Sequence, residues 1–169
     1  GRCEVVIDNC ESAGVGRIWA VRTEGPHEGT WRSPADRAYT PLSAFSVGAV
    51  GADSPLTATS FSSRGPSRCG GPHAMKPEVV APGMDVISAI PGGDYAYLSG
   101  TSMSGPHVAG VAALMRAANP DIDVETVKQI LIDTAKDLGP EGEDGIYGHG
   151  MINAYDAVMA ALDGYRPVT

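Results

Sequence analysis

Residues 99–110 read Ser-Gly-Thr-Ser-Met-Ser-Gly-Pro-His-Val-Ala-Gly and run straight into Val111-Ala112-Ala113-Leu114-Met115. A hydroxyl-rich turn between glycines thus opens an apolar helix with almost no polar face. No other stretch constrains the chain as much, because a serine at that junction has two uses. It caps the helix by accepting a backbone N–H, or it stands exposed as a nucleophile. The glycines beside Ser102 permit a tight, open backbone. The helix behind it offers free N–H groups and the positive end of its dipole. Such a place stabilises the oxyanion formed when a serine attacks a carbonyl. Residue chemistry alone leaves both uses open, with Ser102 or Ser104 as a cap, or Ser102 as a nucleophile.

The chain around this junction has 169 residues, enough for one domain with a real core. Hydrophobic residues at 43% and charged residues at 19% fit a globular chain rather than a disordered one. No apolar run reaches the roughly 18 residues of a membrane span. A net charge of -8 argues against a nucleic-acid backbone as partner. The 22 glycines and 13 prolines cluster at residues 14–41, 64–72, 91–106 and 139–150, which predicts many tight turns between short elements. Cys3 and Cys10 lie about 10 Å apart along an expected helix, too far for a disulfide. With Cys69 the count is odd, so free thiols are expected, and no metal-ligand spacing is present.

Helical spacing of Val5, Val6, Ile7 and Cys10 predicts a helix over residues 2–13, stopped by Gly14. Residues 16–22 read as a strand, 45–50 as a buried strand, 57–62 as a further strand and 86–90 as another. Lys76 to Gly83 is a short apolar run with proline punctuation. Helices are expected from about Ser104 to Ala118, from Val124 to Thr134 behind an Asp123 cap, and from Ile152 to Leu162. Alternating strands and helices indicate an α/β fold with a largely parallel sheet.

Gly100-Thr101-Ser102-Met103-Ser104-Gly105-Pro106-His107-Val108-Ala109-Gly110 resembles the nucleophile motif of subtilisin-like serine proteases. Ser46 to Val50, Phe61 to Pro66, Lys76 to Gly83 and Tyr147 to Ala154 resemble the same family in the expected order. The likeness runs from about Val5 to Leu162. It implies the C-terminal part of a subtilisin-like catalytic domain over residues 1–169, with a mostly parallel sheet flanked by helices. It makes Ser102 the nucleophile and the Ser102 backbone N–H one oxyanion donor, and assigns His107 to the structural part of the motif. It places Met103 where oxidation hampers catalysis.

The sequence departs from that pattern in three ways. The family's Asp-x-Gly and His-Gly-Thr-His segments, which carry the triad acid and base, do not occur. None of His27, His73, His107 and His149 has the family context of a base. These segments are expected before Gly1, in an N-terminal half on the same or a cleaved chain. Second, Thr23 falls where the family has the asparagine whose side-chain amide is an oxyanion donor. Loss of such a donor costs about 2.7–4 kcal/mol in the transition state. Third, Arg32, within Thr30 to Ala35, falls where the family lines its primary substrate pocket with a small residue. An arginine there pairs with an acidic substrate side chain, fills the pocket or points to solvent.

The leading expectation is therefore a serine endopeptidase segment that acts on peptides or proteins, inactive alone, with no cofactor in the chemistry. Structural calcium is a property of relatives, and no carboxylate cluster here is assigned to it. A pseudoprotease that binds without cutting is the alternative, favoured by Thr23 and opposed by the intact Gly100–Gly110 stretch. A half sheet standing alone exposes an apolar edge, so a partner segment or self-association is expected. The resemblance implies secretion, and free thiols also fit a reducing compartment.

Overall fold

A computed structural model describes residues 9–30, 33–36, 40, 42, 44–68 and 75–165. Its centre is a three-stranded parallel sheet ordered β1 (Ile18–Ala20), β2 (Phe45–Val50), β3 (Val79–Pro82). Val47 lies opposite Ala20 on one side and Val79 on the other. The β2 sequence Phe-Ser-Val-Gly-Ala-Val is buried at every position, as a central parallel strand covered on both faces requires. The outer edge of β3 is closed by residues 150–152. Val80 N–H donates to the Gly150 carbonyl at 2.9 Å, and Ile152 N–H to the Val80 carbonyl at 3.1 Å. Among the described residues, β1 has no strand on its outer edge.

Helix α1 (Thr101–Ala118) lies across all three strands. Its Val108, Val111 and Met115 meet Phe45, Val47, Val79 and Ala81 in a single apolar cluster. Helices α2 (Val124–Asp133) and α3 (Ala154–Leu162) complete that cluster with Ile130, Leu131, Ala157 and Ala161. Asp123 caps α2 by accepting the Thr126 N–H at 2.7 Å. That bond holds its carboxyl below the ordinary aspartate value. Asn153 caps α3 by accepting the Asp156 N–H at 3.2 Å.

The opposite face of β2 is polar yet equally buried. The Ser46 N–H donates to Glu78 Oε2 at 2.6 Å, and the Ser46 hydroxyl donates to the same oxygen. Lys76 Nζ donates to the Ala44 carbonyl at 2.9 Å and pairs with Glu78 Oε1. Burial pushes the Glu78 carboxyl up, against the opposing pull of the Lys76 ammonium. Gly48 belongs in this layer because a Cβ there would stand 3.0 Å from Val80 Cγ1 and 3.2 Å from Ser62 Oγ.

Several boundaries differ from the sequence reading. Helix α1 starts at Thr101 rather than Ser104 because Gly100 is its N-cap. The first strand shortens to Ile18–Ala20, and α3 starts at Ala154 because Asn153 is spent on capping. Residues 57–62 form no strand. One bridge joins Ala58 to Val50, and then the chain turns. There the hydroxyls replace a ladder, with Thr59 Oγ1 donating to the Ala49 carbonyl and Ala49 N–H donating to Ser62 Oγ at 3.1 Å. Strand β4 (Val86–Ala89) matches the expected strand and pairs antiparallel with an unexpected β5 (Tyr95–Leu98). Of the helix expected at residues 2–13, residues 9–12 are described and helical, and Cys10 is a free thiol. Cys3 and Cys69 lie outside the described residues. None of the described helices is long and apolar enough to cross a membrane.

Candidate active site

The site is assembled where β3 ends and α1 begins. The Gly100 N–H donates to the Gly83 carbonyl at 2.7 Å. Gly83 has to be a glycine, since a Cβ there would collide with Ser104 Oγ, Ala49 Cβ and the Gly100 carbonyl. This contact sets the height of the helix mouth relative to the sheet.

Three hydroxyls follow in the first turn of α1, and their surroundings differ. Thr101 and Ser104 are buried, and neither side-chain oxygen has a hydrogen-bond partner. Ser102 is exposed, and its hydroxyl makes no hydrogen bond to any described residue. The N-cap is Gly100, which has no side chain, so the helix mouth carries no side-chain cap. Pro106 lies inside the helix and has no N–H to give the Ser102 carbonyl. Among the described residues Ser102 is therefore held by backbone alone, with no partner for its side chain. Ser104, the other cap candidate, points inward.

Two grooves meet at Ser102. One, of about 370 Å³, is lined by Ala20, Arg22, Thr23, Glu24, Thr101 and Ser102. The other, of about 310 Å³, is lined by Val86, Ile87, Ser88, Met103, Pro106 and His107 with Ser102. The first is polar and charged, and the second mostly apolar. Beneath the first groove, residues 61–63 pin the chain that leaves β1. The Arg22 carbonyl accepts the Ser63 N–H at 3.2 Å, Glu24 N–H donates to Ser63 Oγ at 3.3 Å, and Gly25 N–H to the Phe61 carbonyl at 2.9 Å. Thr23 thereby stands beside the helix mouth, its methyl carbon 3.8 Å from where a Cβ of Gly100 would be.

The parallel sheet flanked by helices is consistent with one family. Its sequence profile, described as the Subtilase family, matches residues 11–150. The chain belongs to the subtilase family. Among its relatives, bacillopeptidase F of Bacillus subtilis (strain 168) is 42% identical over 126 residues, covering 71% of this chain and 8% of the relative. Serine protease AprX of the same organism is 32% identical over 168 residues, covering 90% of this chain and 37% of AprX. M-protease of Shouchella clausii (strain KSM-K16) is 47% identical over 77 residues, covering 46% of this chain and 20% of the relative. This subtilase chain thus spans well under half the length of the curated relatives it matches.

The described part of the subtilase brings Ser102 and Thr23 to one groove. Arg32 and His73 lie outside the described residues. His107 lines the apolar groove, but its Nδ1 lies 2.8 Å from the Met103 carbonyl. A carbonyl only accepts, so that nitrogen carries the proton and ties the ring to its own helix. His149 Nε2 lies 3.6 Å from Glu143, and the His27 carbonyl accepts the Thr30 hydroxyl. None of these contacts orients an imidazole toward Ser102.

Sequence reasoning passed over Arg22, which has φ of 80° and reaches the Ser102 groove. A positive φ at a non-glycine residue leaves no mark in a single sequence. The Lys76–Glu78–Ser46 network was also missed. Its signal, two opposite charges two residues apart in an apolar run, was present but was absorbed into the proline punctuation around it.

Proposed function

We propose that this chain carries the nucleophile of a subtilisin-like serine endopeptidase. The observation that supports it is the exposed, unpartnered Ser102 hydroxyl at an uncapped helix mouth between two grooves. Ser102 Oγ bonds to the carbonyl carbon of a peptide. A histidine from a segment outside these 169 residues takes the hydroxyl proton and delivers it to the leaving amine. Water then releases the acyl group and restores the hydroxyl. The Ser102 backbone N–H and the Thr23 hydroxyl donate to the oxyanion. On this reading residues 1–169 are a partial catalytic domain, and without the Asp- and His-bearing segment the chain does not turn over.

That segment docks at the open side of the sheet. The outer edge of β1 has no partner among the described residues, and an apolar groove of about 360 Å³ runs beside it between residues 14–18, α1 and α2. A bare edge next to an apolar groove accepts another strand and its flanking element. No three His, Cys, Asp or Glu side chains converge among the described residues. The chemistry proposed here uses no bound metal. Secretion, implied by the family resemblance, belongs to the same proposal.

A second reading, a binding module that has lost catalysis, is favoured by one residue. Thr23 offers a short hydroxyl where the family has an amide. A fluorophosphonate probe applied to the full-length protein separates the two. Labelling mapped to Ser102 and abolished by Ser102→Ala supports the protease. A folded full-length protein that takes no label supports the binding module.

A further inference from the structure

The groove in front of Ser102 contains a cation that the reaction proposed above does not use. Arg22 lines that groove together with Thr23 and Glu24. Arg22 is exposed and makes no ion pair or side-chain hydrogen bond among the described residues. Its neighbour Glu24 does have an interaction partner. Arg22 thus brings a cation to the groove of Ser102 in a chain that is strongly negative as a whole.

The backbone at Arg22 is also unusual. Its φ of 80° is one of two positive values at non-glycine residues among those described. Side-chain residues adopt that region at a cost, and glycine does not. The fold requires the turn here, because Val21 N–H must reach the Val47 carbonyl while the Arg22 carbonyl accepts from Ser63. No ion pair or side-chain hydrogen bond among the described residues accounts for the arginine, which is exposed. What it supplies is a fork of donors beside the nucleophile, anchored on a backbone held at both ends.

The geometry points to Arg22 as a specificity-determining residue that receives an acidic side chain of the peptide lying across Ser102. An aspartate or glutamate next to the attacked bond reaches into the groove and pairs with the guanidinium. The apolar groove on the other side, with Val86, Ile87, Met103 and Pro106, takes an uncharged neighbour. This inference rests on the protease reading for its biological meaning, but peptide binding tests it without any turnover.

The test uses the full-length protein carrying Ser102→Ala, which cannot cleave, and fluorescent peptides that differ only in having Asp, Ala or Lys beside the central bond. We expect the Asp peptide to bind about fivefold more tightly than the Ala peptide, a typical value for one partly exposed ion pair. Arg22→Gly, which also relieves the positive φ, removes the preference for Asp over Ala. Arg22→Glu turns the preference toward Lys. Equal binding of the three peptides, or an Asp preference that survives Arg22→Gly, overturns the inference. An Asp preference that depends on Arg22 in a protein that takes no fluorophosphonate label keeps the inference and discards the protease reading.

Discussion

The two faces of β2 are buried to the same degree and made of opposite materials. Phe45 and Val47 rest on the helices in an apolar cluster. Ser46 and Gly48 rest on a layer of hydroxyls and one buried ion pair. The apolar face is non-directional and tolerates repacking of similar volume. The polar face is directional: each buried donor and acceptor has one geometry that satisfies it. Its loop 59–63 also pins Arg22 to Gly25 under the candidate groove. The comparison indicates a division of labour, with the helix side supplying stability and the polar side fixing where the Ser102 groove lies.

Four substitutions or titrations, made in a Ser102→Ala background, break or sharpen this contrast. The largest effect is expected from Lys76→Met. It leaves the Glu78 carboxyl buried without its cation, and urea denaturation should show a loss of about 3–5 kcal/mol. On the apolar face, Met115→Ala empties a fully buried site and should cost about 2–5 kcal/mol by the same measurement. Met115→Leu should cost less than about 1.5 kcal/mol, whereas no conservative exchange at Lys76 is expected to be so mild.

The third test is pH. Glu78 has its folded pKa raised above the ordinary 4.5 by burial, so the folded state holds that proton more tightly than the unfolded chain. Its contribution to stability is then fullest in acid and declines as pH rises from about 4.5 through the raised value. Stability of the parent minus that of Glu78→Gln, followed by thermal melting, should fall with pH in that window. A difference that rises with pH would show that the Lys76 pairing outweighs burial.

The smallest effect is expected from Ser62→Ala, which removes the acceptor for the Ala49 N–H and costs about 1–3 kcal/mol. Its informative readout is local. Peptide affinity should drop further than for Met115→Ala at matched stability loss, because the loop under Arg22 and Thr23 loosens. Equal affinities in the two variants would remove the division of labour.

What the sequence disclosed follows the same line between faces. Strand β2 was legible to the residue because six small or apolar residues in a row belong to a buried strand. Helix α2 was legible from Asp123 and its apolar spacing. Ser102 stood out because glycines surround it. The polar layer was not legible, since Ser46 and Glu78 are 32 residues apart and nothing local links them. Residues 57–62 looked like a strand because β-branched residues and aromatics favour one. In the fold their hydroxyls bond β2 directly, and the ladder ends after one bridge. Strand β5 follows Gly92 and Gly93 and shows no alternation, with Tyr95, Tyr97 and Leu98 all exposed.

The hydrogen bond from Gly100 to Gly83 closes a long excursion of the chain. Everything between them, residues 84–99 with the whole β4–β5 hairpin, leaves and returns through a single clasp. Ser102 follows that clasp by two residues. The β4 side of the hairpin, with Val86, Ile87 and Ser88, walls the groove at Ser102, whereas the exposed tyrosines of β5 line neither groove, so exchanges at Tyr95 and Tyr97 are expected to leave the placement of the serine unchanged.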